Sequence, residues 1–253
     1  MGTYVVTGSA TGIGAAVRAQ LNSAGHRVIG VDIKQSDIQA DLASSEGRQQ
    51  AVSEIIRHAP EGLTGLITCA GVASHMPDAA LIASLNYFGS VALIDGLRHH
   101  LNGANASVVM ISSNSAPHDT SEAYLAALRD GDEASARAVA VEIGGHQSYA
   151  GSKRAVAQWM RRQAPAMARE GIRINAVAPG FIETPMTDAV MNDPNYGDAI
   201  KQFLQSIPVG RAGQANEVAN VICFLLSEQA SFVSGSLVYI DGAHDAMFRP
   251  DAV

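Results

Sequence analysis

Short apolar runs rich in β-branched residues alternate along this chain with longer stretches of helical spacing. Tyr4-Val5-Val6, Val28-Ile29-Gly30-Val31, Leu66-Ile67-Thr68-Cys69, Val108-Val109-Met110-Ile111, Ile172 to Val177 and Leu237-Val238-Tyr239-Ile240 read as strands. Between them the spacing predicts helices over 14–24, 45–58, 79–101, 148–168 and 215–227; Val52, Ile55 and Ile56 share a face of the second. A further short strand is expected to end at Asp41-Leu42. Strands and helices that alternate in this way form a parallel sheet covered by helices on both faces. No linker, repeat or low-complexity stretch divides the pattern, which predicts a single domain over 1–253.

One segment breaks the alternation. Asn114 to His146 follows a strand but is rich in Ala, Glu, Arg and Asp, with good helix formers over 122–128 and 133–142. An inserted helical pair, about 114–147, is expected there, because long structureless loops are uncommon in compact domains.

Composition narrows the function. The chain is 47% apolar and 16% charged, against roughly 25% charged for an average soluble protein, which excludes a disordered chain. Its formal charge of -7 opposes a phosphate backbone, so no nucleic-acid partner is expected. Cys69 and Cys223 each lie in an apolar run and suggest core thiols, not a disulfide framework. Met1 to Val6 enters a strand without a basic segment, and no window reaches 18 uninterrupted apolar residues. A cytoplasmic protein without a membrane partner is the expectation.

Thr7-Gly8-Ser9-Ala10-Thr11-Gly12-Ile13-Gly14 joins the first strand to the first helix. Glycines there allow a sharp turn and a close backbone approach to a pyrophosphate at the helix N-terminus. Asp32 closes the second strand, 18 residues beyond Gly14, where a carboxylate can accept both hydroxyls of an adenosine ribose. A 2'-phosphate would be repelled by about 4 kcal/mol per charge pair at 4 Å and an effective dielectric of 20. NAD is therefore favoured over NADP, with Lys34 the only cation expected nearby. Asp41-Leu42 could bracket the adenine or form a surface turn.

Tyr149 and Lys153 are four residues apart on a predicted helix and so share a face. An attraction of about 3 kcal/mol, at about 5 Å and dielectric 20, would favour the phenolate by about two pKa units before desolvation. Ser113 ends a strand and could hold a substrate oxygen; Asn86 is a polar residue within the long helix at 79–101.

These pieces resemble the short-chain dehydrogenase/reductase family over essentially the whole chain, Thr3 to Gly242. The resemblance implies a Rossmann-like, doubly wound sheet of seven parallel strands, with the helical insert after the fifth. It implies a catalytic tetrad: Tyr149 as acid or base, Ser113 orienting the carbonyl or hydroxyl, and Lys153 binding the nicotinamide ribose and lowering the tyrosine pKa. Asn86 would hold a water relaying protons to Lys153. NAD contacts are implied at Gly8, Thr11, Gly12, Ile13, Gly14, Asp32, Asp41, Leu42, Ala70, Gly71, Tyr149 and Lys153. The stretch Pro179 to Thr184 adds the Ile182 backbone and the Thr184 hydroxyl, toward the carboxamide and diphosphate.

Two features depart from the family's pattern. Thr68-Cys69-Ala70-Gly71 has Cys where the family usually has Asn, which removes a structural hydrogen bond there. Ser113 and Tyr149 are 36 residues apart, and the insert accounts for the excess over the family's usual dozen. The insert, Asn86-Tyr87-Phe88-Gly89 and the tail from Asp241 to Pro250 are similar to the bacterial 3α-hydroxysteroid dehydrogenase/carbonyl reductase subgroup. That likeness implies a hydrophobic alcohol or ketone, foremost a 3α-hydroxysteroid and its 3-oxo partner. A non-steroid alicyclic substrate is the alternative, and a non-catalytic NAD-binding regulator the rival of another class. It also implies a homodimer, with the insert obstructing association through the helices at 79–101 and 148–168; its apolar Tyr124, Leu125, Leu128, Val139 and Val141 either cover the core or form a new contact.

The eight histidines show no metal-ligand spacing, so no metal is expected, and His99-His100 are expected to face solvent. Met186, Met191, Phe203 and Leu204 read either as ordinary packing or as a lid over a hydrophobic substrate.

Overall fold

The computed structural model of the chain describes residues 1–102, 105–184, 187 and 197–252. Its first part runs β1 (Thr3–Thr7), α1 (Gly12–Ser23), β2 (Arg27–Asp32), β3 (Ile38–Gln39), α2 (Ser45–His58) and β4 (Gly65–Thr68). Next come α3 (Ala79–Ile82), a π-helical stretch (Ala83–Gly89), α4 (Ser90–Leu97), β5 (Ser107–Ile111), α5 (Glu122–Asp130) and α6 (Glu133–Arg169). The rest is β6 (Arg173–Pro179), β7 (Ile182–Glu183), α7 (Gly197–Ser206), β8 (Gly213–Gln214), α8 (Ala215–Leu226), β9 (Leu237–Ile240) and α9 (His244–Phe248).

Seven strands form one parallel sheet in the order β3-β2-β1-β4-β5-β6-β9, as expected. The chain builds outward from β1 to β3, then returns to place β4 on the other side of β1. That reversal opens a crevice beyond the carboxyl ends of β1 and β4, the usual ligand position in such sheets.

Successive strand residues feed opposite layers. Val5, Leu66, Val108 and Ile174 pack with Ile55, Leu93, Trp159 and Met160 on one face, while Val6, Ile67, Val109 and Val177 pack with Val17, Leu21 and Ile222 on the other. Burial on both faces is why the central strands read as unbroken apolar runs. Helical residues 79–100 are apolar and long enough to span a membrane by length and composition, yet 67% of their most apolar window is buried in this core.

The insert forms two helices. Gly131, at φ 75°, turns the chain out of α5, and the Asp132 carboxylate caps α6 by accepting from the Ser135 N–H at 3.0 Å. The expected second insert helix and the expected helix over 148–168 are parts of one rod of 37 residues, bent at Gly144 with φ 77° and ψ 170°. Only glycine takes that conformation without strain, so sequence spacing alone gives no gap. Tyr124, Leu125 and Leu128 join the core, Val139 packs against it, and Val141 is 64% exposed, so the insert mainly covers core.

Some local expectations are corrected. The third strand stops at Gln39, and Asp41-Leu42 lies beyond it in the turn into α2, where Asp41 Oδ1 accepts from the Ala43 N–H at 3.0 Å. His99 is exposed as expected, but His100 is half-buried with its ring nitrogen against the Ala59 carbonyl. The short parallel pair β7–β8 and the helices α7 and α9 have no counterpart in the hydrophobic pattern.

Candidate active site

The crevice begins at the β1–α1 turn. A side chain at Gly14 would place its Cβ 2.1 Å from the Gly8 carbonyl oxygen, so glycine is required for the loop to fold back on itself. Thr11 occupies the helix cap in an extended conformation but makes no side-chain cap bond, and no acidic residue stands in the first turn. The α1 amides at that end retain hydrogen-bonding capacity and positive character, which suits an anion. Ile13 faces inward against the core, and Gly12 lies 3.4 Å, measured from an added Cβ, from the Thr184 methyl. The Pro179–Thr184 stretch is thereby brought against the phosphate loop. Thr184 is held by its N–H donating to Thr187 Oγ1 at 2.9 Å, and Thr187 Oγ1 donates to the Ile182 carbonyl at 2.7 Å.

Asp32 sits at the end of β2, with Oδ2 accepting from the Ala10 N–H at 3.0 Å and Oδ1 from the Ile33 N–H at 2.7 Å. Each oxygen keeps acceptor capacity beyond these bonds. Lys34 is not the only cation at this corner: an added Cβ at Gly30 would meet Arg18 Nη1 at 2.8 Å. Arg18 is committed to Asp37 at 2.8 Å, which offsets its charge, so Asp32 still sets the sign there. Arg18 and Asp37 lie 19 residues apart in the chain, and only the turn after β2 reveals the pairing.

Across the switch point, Ala70 donates its N–H to Thr7 Oγ1 at 3.0 Å and so joins the ends of β1 and β4. The Thr68 hydroxyl is buried without a partner among the described residues, beside the Cys that departs from the family's Asn. Gly71 lies against the tetrad: an added Cβ would be 3.0 Å from Asn86 Oδ1 and 3.7 Å from Lys153 Nζ.

The four residues expected to carry the chemistry converge here. Asn86 is buried in the π-helical stretch, a rare geometry frequent at functional sites. Its Oδ1 accepts from the Val72 N–H at 2.8 Å and its Nδ2 donates to the Val72 carbonyl at 3.0 Å, locking the loop after β4. Lys153 is 6% exposed and donates from Nζ to the Ile111 carbonyl at 3.0 Å, with Nζ 5.7 Å from the Tyr149 ring centre. Ser113, two residues after Ile111, is buried; its hydroxyl accepts from the Ser115 N–H at 3.1 Å and favours the ionised Tyr149 phenol.

The electrostatics differ from the expectation in one respect. Burial raises the Tyr149 pKa above its usual value, and the Ser113 hydrogen bond only partly opposes it. Burial also lowers Lys153, to about 8, with Cys69 pulling slightly the other way. The expected lowering of the phenol by Lys153 is not found: burial sets the direction of the Tyr149 shift, and only Ser113 acts against it.

Two serines escaped notice in the sequence. Ser112 Oγ donates to the Lys153 carbonyl at 2.8 Å, and Ser152 Oγ donates to the Tyr149 carbonyl at 2.8 Å while Asn86 Nδ2 reaches it at 3.4 Å. Each adjoins an expected site residue, which is the only signal the sequence offers. The Tyr124 ring of the insert packs on Gly151, between Tyr149 and Lys153.

Beyond the strand end bearing Ser113, Phe181, Phe203, His244 and Phe248 form an edge-to-face chain with ring centres 5.9, 5.3 and 5.0 Å apart. Phe203 and Phe248 are exposed, at 37% and 68%. Met186 and Met191 lie outside the described residues. Asn114, next to Ser113, has its Nδ2 3.3 Å from His244 Nδ1 and so links this apolar wall to the strand end bearing Ser113.

Comparison with known proteins adds to this geometry. The family model described as short chain dehydrogenase matches residues 3–127, and that described as enoyl-(acyl carrier protein) reductase matches residues 142–243. The unmatched residues between them fall in the insert. The chain is 41% identical to a 3-alpha-hydroxysteroid dehydrogenase/carbonyl reductase from Comamonas testosteroni, covering 99% of each. It is 30% identical to a levodione reductase from Leifsonia aquatica, covering 96% of this chain and 94% of the relative. The crystal structure of a 3-alpha-hydroxysteroid dehydrogenase from Pseudomonas sp. B-0831 complexed with NADH superposes with a TM-score of 0.94 at 41% identity, covering 99% of this chain and all (100%) of that one.

Proposed function

The chain belongs to the short-chain dehydrogenase family of oxidoreductases, and from that premise we propose that it is an NAD-dependent dehydrogenase interconverting 3α-hydroxysteroids and 3-oxosteroids. The observation that carries this reading is the meeting of the Tyr149 phenol, the Ser113 hydroxyl and the buried Lys153 ammonium beside a glycine turn built for a diphosphate. The 3α-hydroxysteroid dehydrogenases matched over the full chain support the substrate.

NAD, when bound, supplies the hydride acceptor, or as NADH the donor, at the nicotinamide ring. The amides of 11–14 would hold the diphosphate, Asp32 the adenosine ribose hydroxyls, and Asp41 and Leu42 the adenine edge. Ala70 and Gly71 would line the cofactor side of the crevice, and the Ile182 backbone and Thr184 hydroxyl would hold the carboxamide and diphosphate. Ser113 donates a hydrogen bond to the substrate oxygen and fixes it against Tyr149. Tyr149 then gives its proton to a ketone oxygen or takes one from an alcohol. Lys153 holds the nicotinamide ribose and stabilises the phenolate that forms, and Asn86 supports a water that passes protons to Lys153. The aromatic wall from Phe181 to Phe248 excludes water from the apolar body of the substrate.

Turnover of a panel of 3α-hydroxysteroids, other hydroxysteroids and small alicyclic alcohols, followed by NADH absorbance, tests the reading. Preference for 3α-hydroxysteroids supports it; preference for small alicyclic alcohols moves the protein to the carbonyl reductase alternative. We further propose a homodimer: α5 packs against α6 and the π-helical stretch, the helices through which the family resemblance implies a larger assembly would form. A scattering mass near four chains would contradict the dimer.

A further inference from the structure

Arg48 in α2 is 7% exposed and distributes its donors over three parts of the chain. Nε donates to the Leu42 carbonyl at 2.8 Å, and Nη2 donates to the Ala43 carbonyl at 2.9 Å. Nη1 and Nη2 donate to the two carboxylate oxygens of Glu133, at 2.7 and 2.6 Å. Glu133 is the first residue of α6 and belongs to the insert. A weaker donation from Nη2 reaches the Ser84 carbonyl at 3.4 Å, two residues before Asn86, and Arg137 Nη1 donates to Ser84 Oγ at 2.7 Å.

The planar guanidinium makes this more than a charge pair. A two-pronged bond to Glu133 fixes its plane, and the same plane then fixes two consecutive backbone carbonyls. Leu42 and Ala43 form the turn that follows β3, and Asp41 precedes them. Arg48 stands about one turn from Val52 and two from Ile55 on the buried face of α2, where a charged side chain is rare unless paired. Glu133, 85 residues further along, is the partner that sequence spacing does not reveal.

We propose that Arg48 and Glu133 are positioning residues for the adenine end of the dinucleotide, through which the insert sets the Asp41–Ala43 turn. This rests on the dinucleotide reading above. It gives the insert a role on the cofactor side, at the opposite end of the crevice from the aromatic wall.

The test uses the full-length chain carrying Glu133→Gln, and separately the double variant Arg48→Met with Glu133→Leu, since apolar replacement of a buried pair often preserves stability. NADH and ADP-ribose affinities, kcat, the KM of the alcohol and thermal stability are measured on each. The dissociation constants of NADH and ADP-ribose are expected to rise roughly 3- to 30-fold, the range for residues that touch neither ligand but couple to its site. The kcat at saturating NAD should stay within about twofold, and the KM of the alcohol should not move. Wild-type affinity for NADH and ADP-ribose in a folded double variant would overturn the proposal and leave the pair a purely structural one. Failure of the unmodified protein to bind NADH would instead overturn the dinucleotide reading itself, and the inference with it.

Discussion

The dinucleotide end of the crevice and its substrate end are built from different material. At the first, the turn that faces the diphosphate and the carboxylate that faces the adenosine ribose are backbone amides, glycines and one strand-end side chain, all within 7–32. At the second, the groups are side chains at 113, 149, 181, 203, 244 and 248, drawn together only by the folded sheet. A site made of local backbone geometry tolerates changes elsewhere, whereas a site made of distant side chains changes with each of them. That contrast explains how one scaffold can keep its cofactor and vary its substrate.

The largest effect should come from the junction of the two ends. Tyr149→Phe removes the exchangeable proton while leaving the glycine turn intact, and kcat is expected to fall by at least the 10²- to 10⁴-fold of general acid-base catalysis. NADH binding, measured by fluorescence, should be retained. A loss of both would show that the two ends are not separable.

Next in size is the choice of cofactor. Asp32→Ala removes the charge that repels a 2'-phosphate, and the ratio of kcat/KM for NAD over NADP should fall by about 100-fold, within the ~4 kcal/mol available. Arg18 remains tied to Asp37 in this variant. Parallel kinetics with the two cofactors read the change, and an unaltered ratio would assign discrimination to another group.

Lys153 sharpens the contrast through stability and pH. Its pKa lies at about 8 instead of 10.5, so the fold bears the cost of a buried ammonium below pH 8 and is relieved of it as pH rises from 8 towards 10.5. That difference corresponds to about 3 kcal/mol, and Lys153→Met should raise the denaturation midpoint while abolishing efficient turnover. For the unmodified protein, alcohol oxidation should rise with pH as Tyr149 loses its proton, and ketone reduction should fall, the burial-raised phenol pKa placing the change on the alkaline side. A pH-independent rate would mean that Tyr149 does not control the proton.

The smallest effect belongs to the aromatic wall. Phe203 is 37% exposed, so Phe203→Ala forfeits only part of its burial, and KM for a steroid should rise about 3- to 10-fold. KM for a small alicyclic alcohol, too short to reach Phe203, should not change.

The same division governs what the amino-acid pattern reveals. All six long strands and the Tyr149-Lys153 pairing follow from local spacing, because burial on both faces and one helical turn leave direct traces in the sequence. The bend at Gly144 leaves almost none, since a glycine inside a helical stretch reads alike whether or not its φ is positive. The direction of the Tyr149 pKa was missed because it depends on how completely the folded cleft dehydrates the phenol and its lysine. The Arg18–Asp37 and Arg48–Glu133 pairs and the aromatic chain are long-range meetings, beyond the reach of periodicity.

Transfer of label from an alcohol carbon tests the union of the two ends most directly. A 3α-hydroxysteroid carrying deuterium on its hydroxyl-bearing carbon is incubated with NAD and the protein, and the reduced dinucleotide is analysed by mass spectrometry. Deuterium should appear in the NADH with the unmodified protein and be nearly absent with Tyr149→Phe. Tight NADH binding without label transfer from the steroid or from any alcohol of the panel would contradict the dehydrogenase reading and leave a dinucleotide-binding regulator in its place.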